Sequence, residues 1–204
     1  MTQTYALLLR GINVSGRRKV PMADLRSCLE GLGHRDVRTY LQSGNAVFTT
    51  GADAGGAGAS GASGAGGGAG VPAVSDEALA SEIEDAVERR FGFRVDCLVR
   101  DGAYLAAVAA ACPFPAAELE GKQLHALYLS ESADPGRFAG IDREAHLPEA
   151  FALGDRVLYL YAPEGLGNSK LGEAVSRASV VKGLVVTGRN WNTVRKLVEM
   201  TGGE

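Results

Sequence analysis

The order of apolar patterns in the first hundred residues is the feature that most restricts the possible folds. Residues 4–10 form a mostly apolar run typical of a buried strand, and residues 94–100 alternate as a half-buried strand does. The elements expected between them are a helix (21–33), two strands (37–50, turning at Ser43-Gly44-Asn45) and a second helix that begins after Ser75. The order strand, helix, strand, strand, helix, strand predicts an α+β fold of the ferredoxin-like (βαββαβ) type.

A similar order follows in the second half of the chain. The expected elements are a strand (124–130), a short helix opening at Asp134-Pro135, a hairpin (150–163) turning at Gly154-Asp155, a helix after Asn168-Ser169, a strand (183–188) and a helix from Asn190 to about Met200. We therefore predict two ferredoxin-like subdomains, residues 1–100 and 123–204, the second with an extra C-terminal helix. Asp101 is expected to cap a helix over 102–111, so residues 101–122 form the connection.

One segment does not fit either subdomain. Residues 51–70 contain ten glycines and seven alanines, too little apolar surface to offset the entropy lost on ordering. We predict that residues 51–74 form a disordered insertion between the two strands of residues 37–50 and the second helix.

Composition indicates a globular protein of the cytoplasm. The chain has 204 residues, of which 46% are hydrophobic and 22% charged, and no apolar run approaches the ~20 residues that cross a membrane. The N-terminus lacks the pattern of a signal peptide, and the three cysteines form no CxxC pair. The net charge is −3, so a general nucleic-acid binder is possible but not favoured, although the first 50 residues are basic.

The segment LLLRGINVSGRRKVPM (7–22) has two glycines at the spacing of a phosphate-binding P-loop. The P-loop requires Lys and then Ser or Thr after the second glycine, but Gly16 is followed by Arg17-Arg18-Lys19-Val20. The helix also begins too late to close such a loop. Two interpretations remain open: a loop that binds an anion through Arg10, Gly11, Asn13 and Lys19, and a solvated basic turn.

Two further segments place polar groups at predicted helix starts. In RNWN, the side chains of Arg189, Asn190 and Asn192 gather at a helix N-terminus, where the helix dipole favours an anion. Trp191 lies on the apolar stripe of that helix and is expected to pack, unless it contacts a ligand. In GNSKL, Ser169 caps a helix and Lys170 follows in its first turn. With Ser43, Gly44 and Asn45, these residues complete the predicted ligand site.

No catalytic or metal-binding pattern is recognisable. His34, His125 and His146 do not have the spacing of metal ligands, and no nucleophile is accompanied by a general base. We predict no catalytic residue, no metal site and no cofactor.

Several of these segments together resemble the bacterial domain-of-unknown-function family number 1697. The segments that carry the resemblance are ALLLRGIN (6–13), KVPM (19–22), VRTYLQSGNAVF (37–48), SKL (169–171) and RNWNTV (189–194). The resemblance implies an α+β fold of two related subdomains, and it implies no established activity, substrate or cofactor.

Three functions are consistent with the sequence. The first is a cytosolic protein that binds a nucleotide or another phosphorylated ligand at loops between the subdomains. The second is an enzyme of phosphoryl or nucleotidyl transfer, for which only Asp24 lies near the basic loop as a carboxylate. The third is a structural or protein-interaction module in which Asn13 and Asn190 bond neighbouring backbone and Arg10 pairs with a carboxylate. No membrane partner is expected, and the oligomeric state is not predicted.

Overall fold

The computed structural model describes residues 3–14, 17–50 and 75–202. The strands are β1 (Gln3–Leu9), β2 (Arg35–Tyr40), β3 (Asn45–Thr50), β4 (Cys97–Asp101), β5 (Leu124–Leu129), β6 (Ala150–Gly154), β7 (Val157–Tyr161) and β8 (Val186–Asn190). The α-helices are α1 (Met22–Gly31), α2 (Asp76–Phe91), α3 (Gly102–Ala110), α4 (Lys170–Val175) and α5 (Trp191–Met200). The predicted insertion, residues 51–74, lies outside the described residues.

The described strands form two antiparallel sheets of four strands each, with matching order. The first sheet runs β2-β3-β1-β4 and the second runs β6-β7-β5-β8. In the first sheet Leu7 of β1 lies opposite both Ala46 of β3 and Val99 of β4, so β1 is central and buried. The protein therefore has the mixed α+β fold that the sequence predicts.

Alternation along the central strand explains how the first sheet packs on both faces. Tyr5, Leu7 and Leu9 point to a core that α1 and α2 cover, whereas Ala6 and Leu8 point to the opposite face. That opposite face contributes to a core shared by both halves of the chain. The shared core contains residues from β1, β5, α3 and α5, among them Leu8, Tyr128, Leu105, Val108, Val194 and Leu197.

The far face of the second sheet is closed by shorter elements. Leu127 and Leu158 pack there against Leu171 and Val175 of α4 and against Phe138. Phe138 belongs to a single 3-10 turn, Pro135–Phe138, which stands where the sequence predicts a short helix.

The predicted helix caps are present. Ser75 accepts a hydrogen bond from the backbone N–H of Ala78 at 3.2 Å, and Asp101 accepts one from that of Tyr104 at 2.7 Å. These contacts depend only on neighbouring residues, so the sequence is sufficient to predict them. Within the described residues, no helix combines the length and apolar character needed to cross a membrane.

Predicted boundaries are wrong in several places. β4 spans Cys97–Asp101 instead of 94–100. β8 spans Val186–Asn190 instead of 183–188, because its residues pair with β5 up to the register Asn190 opposite His125. The turn of the second hairpin is formed by Asp155 and Arg156, because Gly154 already pairs with Val157. The proposed limits of the subdomains, which depend on more than strand boundaries, stay a prediction.

Candidate functional site

The loop between β1 and α1 is held at its base by the side chain of Asn13. Its Oδ1 accepts a hydrogen bond from the N–H of Val20 at 2.9 Å, and its Nδ2 donates to the carbonyls of Val20 (3.0 Å) and Gln42 (2.7 Å). Asn13 adopts a left-handed backbone (φ 55°), which asparagine tolerates better than most residues. One polar side chain thus ties the loop to itself and to the β2–β3 turn.

Beyond Asn13 the chain forms a narrow hairpin. The N–H of Asn13 donates to the carbonyl of Arg18 at 3.2 Å, and the N–H of Arg17 donates to the carbonyl of Val14 at 3.0 Å. We term residues 13, 14 and 17–20 the basic hairpin. Gly16 of the P-loop-like spacing lies outside the described residues.

The cations of the basic hairpin face solvent. Arg17, Arg18 and Lys19 are all exposed, and within residues 3–14, 17–50 and 75–202 no carboxylate pairs with them. Arg10 lies at the end of β1 and pairs with Asp96 at 3.2 Å. Both side chains of that pair are nearly half exposed, so the pair is weak and can exchange partners.

The Ser43-Gly44-Asn45 segment closes the β2–β3 turn against the end of β1. Gly44 has a φ of 81°, and a Cβ on it would lie 2.8 Å from side-chain atoms of both Leu9 and Ile12. Asn45 is fully buried, and its Nδ2 donates to the carbonyl of Tyr40 at 2.9 Å. Glycine at position 44 therefore permits a close approach that brings Asn45 under the sheet junction.

Asn45 is buried because it receives the side chain of Arg189 from the second sheet. Arg189 is 6% exposed, and its Nε donates to Asn45 Oδ1. Its Nη atoms donate to a set of neutral oxygens: Thr187 Oγ1 (2.8 Å) and the carbonyls of Gly188 (2.8 Å), Leu9 (2.9 Å), Gly44 (3.4 Å) and Ser43 (3.5 Å). Burial lowers the pKa of Arg189 to about 10, which still leaves it charged at neutral pH.

The other residues of RNWN serve the start of α5. Asn190 caps the helix by accepting from the N–H of Thr193 at 3.0 Å. Trp191 is 3% exposed and packs against Tyr159, with 6.4 Å between ring centroids. Asn192 is exposed and lies so close to Gly121 that a Cβ there would fall 2.1 Å from its Oδ1.

The start of α4 already holds a carboxylate of the protein itself. Ser169 caps the helix by accepting from the N–H of Gly172 at 2.7 Å, while Lys170 is exposed. The N–H of Leu171 donates to Glu149 Oε2 at 2.8 Å. Glu149 therefore takes the place at which the sequence suggested an external anion.

The predicted site residues therefore do not meet at one place. Arg189, Asn45 and Gly44 meet at the junction of the two sheets, whereas Asn13, Asn190 and Ser169 bond nearby backbone. The predicted residues with exposed polar side chains are Arg10, Lys19, Ser43, Lys170 and Asn192. Arg17 and Arg18 lie outside the predicted site, although the run RRK in the sequence is a signal that could include them.

The cavities of the described residues lie away from the predicted site residues. A surface cavity of ≈ 350 Å³ lies between α3 and the β6–β7 hairpin, and one of ≈ 390 Å³ lies beside the start of α3. Neither cavity is lined by a predicted site residue. In the part of the chain that the structure describes, no three His, Cys, Asp or Glu side chains are grouped as metal ligands would be.

The chain is similar in structure to a solved bacterial protein. It covers 99% of the conserved bacterial protein SP0830 from Streptococcus pneumoniae, which covers 99% of this chain, with a TM-score of 0.70 and 21% sequence identity. At that identity the likeness shows the fold alone. A comparison with curated proteins finds no match.

The sequence profile described as "Protein of unknown function (DUF1697)" matches residues 1–61 and 71–159. The two matched segments include RGIN, KVPM and the SGN turn, which carry the resemblance in the first half. The chain belongs to the DUF1697 family of proteins of unknown function.

Proposed function

We propose that this protein binds an anionic, phosphate-bearing ligand through the exposed cations of the basic hairpin. The observation that carries the proposal is that Arg17, Arg18 and Lys19 are exposed together on a loop whose base Asn13 holds in place. Cations on a fixed base lose less conformational entropy on binding than cations on a free chain. Arg10 adds a further guanidinium at the end of β1, since its exposed pair with Asp96 can open.

The basic hairpin is a different place from the sheet junction at Arg189 and Asn45, which also belongs to the predicted site. The side chains of Arg189 and Asn45 are hydrogen-bonded to each other and to backbone carbonyls. A ligand at this place would have to replace those hydrogen bonds. Arg17, Arg18 and Lys19 form no ion pair with a carboxylate of the described residues. Two of them are arginines, whose planar guanidinium matches two phosphate oxygens at once.

The direct test is an NMR titration of the ¹⁵N-labelled full chain with tripolyphosphate. We expect saturable shifts of the Arg17, Arg18 and Lys19 amides below about 10 mM ligand, and at least about tenfold weaker binding in the double variant Arg17→Gln/Arg18→Gln. Arg177→Gln/Lys182→Gln is the matched control, because both side chains are exposed cations of the second half. The absence of shifts in the basic hairpin, or equal affinity of the two double variants, contradicts the proposal.

A structural or protein-interaction module is the second candidate. It is favoured by the bonds of Asn13 and Asn190 to neighbouring backbone, by the Arg10–Asp96 pair and by Arg189. Arg189 joins β8 to the carbonyl end of β1 and to Asn45, so RNWN and SGN connect the two sheets. In this alternative the family segments stabilise the junction and no small ligand is bound. Phosphoryl or nucleotidyl transfer is not favoured by any contact, since the Asp24 carboxylate pairs with Arg90 at 2.9 Å.

We also propose that each half is a ferredoxin-like unit in a cytoplasmic, bacterial protein. The shared strand order and the sequence β1-α1-β2-β3-α2-β4 support the first assignment. In the second half a 3-10 turn replaces the first helix. The three cysteines are free thiols, which is common in a reducing compartment, and the structurally similar protein is bacterial.

A further inference from the structure

We infer that the surface cavity between α3 and the β6–β7 hairpin binds a small organic cation, namely a protonated amine attached to an apolar or aromatic body. The cavity has a volume of ≈ 350 Å³, which lies within the range of small-molecule sites. It is separate from the basic hairpin, because none of its lining residues belongs to that loop. The amine would therefore bind independently of the anionic ligand proposed above.

The two walls of the cavity are mainly apolar and lie on different elements. One wall consists of exposed residues of α3 and of its C-terminal end, Ala107 and Ala111, and the other includes Ala152 and Val157 of the hairpin. The short side chains on the helix leave the space beside them open. Small-molecule sites are concave, are lined mainly by apolar groups and orient the ligand through a few polar groups. The body of the ligand that fits between these walls is therefore apolar.

The two tyrosines that line the cavity already use the protons of their hydroxyl groups. Tyr159 Oη donates to the carbonyl of Val108 at 2.8 Å. Tyr104 Oη donates to the carbonyls of Asp155 (2.9 Å) and Arg156 (3.0 Å). Burial raises the pKa of Tyr104 and raises that of Tyr159 to about 12, so both hydroxyls keep their protons at neutral pH. Towards a ligand, each oxygen can therefore only accept a hydrogen bond.

Asp155, at the turn of the hairpin, adds a carboxylate to the lining. Its Oδ1 accepts from Ser132 Oγ at 2.6 Å, and no cation among the described residues forms an ion pair with it. Burial is the largest cause of the raised pKa of Tyr104, and the negative charge of Asp155 acts in the same direction, so the carboxylate lies near that hydroxyl. A carboxylate with one hydrogen bond keeps further acceptor positions for a ligand.

Two arginines lie near Tyr104, but their charges are directed to another carboxylate. The Cζ atoms of Arg156 and Arg100 lie 4.7 and 5.3 Å from the centre of the Tyr104 ring. Both guanidiniums approach Asp76, at 3.6 Å from Arg156 and 3.7 Å from Arg100. Neither arginine lines the cavity. The charge of Asp155 is therefore left for a ligand.

These polar groups select among ligands of similar size. An ammonium has only donors, so it can bond to the carboxylate of Asp155 and to the oxygen of Tyr104 together. A carboxylate or phosphate ligand would place its own acceptors against acceptors and its charge beside a like charge. A neutral ligand would fill the apolar space but leave the charge of Asp155 without a partner. The cavity thus favours the cation.

The experiment is an NMR titration of the ¹⁵N-labelled full chain with tryptamine, which joins an ammonium to an aromatic ring. We expect saturable shifts of the Ala107, Ala152 and Asp155 amides, with a Kd on the order of 1 mM. The neutral alcohol tryptophol and the anion indole-3-propionate, which have the same ring, should bind at least about threefold more weakly. Equal or tighter binding of either compound, or the absence of saturable shifts at the cavity, overturns the inference.

Asp155→Asn tests the charge, because it keeps an acceptor for Ser132 and removes the negative charge. The affinity for tryptamine should fall about threefold to fivefold, while the affinity for tryptophol stays the same. Asp85→Asn, at an exposed carboxylate of α2, is the matched control and should change neither affinity. If the two variants bind tryptamine equally well, Asp155 does not contact the amine and the inference is wrong.

Ala107→Leu tests the place of binding, because it fills part of the cavity from an exposed position of α3. It should remove the binding of tryptamine and of tryptophol alike. Ala110→Leu, exposed on the same helix but outside the lining, is its control and should bind like the unmodified chain. Equal binding by the two leucine variants would place the ligand elsewhere. The comparison of the three ligands uses the unmodified chain, so it decides the question even if a variant does not fold.

Discussion

Arg189 brings a positive charge into the interior, and its hydrogen bonds within the described residues all go to neutral oxygens. Two of these are the carbonyl groups of Leu9, at the end of β1, and of Gly44, in the β2–β3 turn. The Arg189 guanidinium of the second sheet thus donates hydrogen bonds to backbone carbonyls of the first sheet and its β2–β3 turn. Removing it would leave buried acceptors unpaired, which costs more than losing the bonds alone.

We expect Arg189→Met to lower the free energy of unfolding by about 3 kcal/mol, because Met fills the space but leaves Asn45 Oδ1 without its donor and removes one of the two side-chain donors to the Leu9 carbonyl. Urea unfolding followed by circular dichroism measures this. Arg26→Met, at an exposed position of α1, is the control and should change stability by less than about 0.5 kcal/mol. A double-mutant cycle with Asn45→Ala should give a coupling above about 1 kcal/mol; additive effects would contradict the assigned contact.

His34 is the second residue whose burial has a measurable consequence. It is 3% exposed, its ring lies 4.3 Å from that of Phe48, and neither ring nitrogen has a hydrogen-bond partner in the described part of the chain. Burial lowers the pKa of His34 below its ordinary value of 6.5. His34 therefore stays neutral in the folded protein at a pH where the unfolded chain binds a proton.

The sign of the effect follows from this difference in proton uptake. Below pH 6.5, unfolding is accompanied by uptake of a proton at His34. The contribution of His34 to the free energy of unfolding is therefore fully present above that pH and decreases as the pH falls, by at most ~1.4 kcal/mol per pH unit. His125, whose pKa is also lowered by burial, acts in the same direction. His34→Phe should reduce the loss of stability between neutral pH and about pH 5. Equal pH dependence in the variant and the unmodified chain would show that His34 does not titrate as described.

At the scale of elements, the hairpin between β1 and α1 depends on Asn13 more than on its own backbone bonds. Asn13→Gly keeps the left-handed conformation and loses the side-chain bonds to Val20 and Gln42, whereas Asn13→Ala also adds backbone strain. We expect losses of about 2 kcal/mol for Gly and about 3 kcal/mol for Ala. Urea titration measures both.

The order of the two variants is the informative part of that experiment. Asn168→Ala, in an exposed 3-10 turn without a side-chain hydrogen bond among the described residues, is the control. If Ala is tolerated at position 13 as well as Gly, the left-handed conformation at Asn13 is not retained in solution.

The helix caps are the features of the fold that the sequence predicts best. The caps at Ser75, Asp101 and Asn190 are local signals, and each is present in the structure. The role of Arg189 is not predictable from the sequence, because its partners in the first sheet and the β2–β3 turn lie more than 140 residues away in the chain. A sequence pattern shows which residues are polar, but it does not show that a second sheet will bring neutral oxygens around one of them.

At the scale of the molecule, the two halves share interior surface and several long-range contacts. The shared core includes side chains of both central strands, β1 and β5. Away from Arg189, the buried Arg100 donates to the carbonyl of Leu129 at 2.6 Å, and Tyr104 Oη donates to the carbonyl of Asp155 at 2.9 Å. Separating the halves would expose this core and break these bonds together, so the halves should unfold as one unit.

The chain carries a probe in each half for this prediction. Cys97 of β4 is 3% exposed, and Trp191 of α5 is equally buried. In a Cys28→Ala/Cys112→Ala background, labelling of the Cys97 thiol and Trp191 fluorescence should give the same urea midpoint, since coincident transitions are the signature of two-state unfolding. Arg189→Met should shift both midpoints together. If Cys97 becomes reactive while Trp191 emission is still native, the first half opens alone and the shared core does not couple the halves.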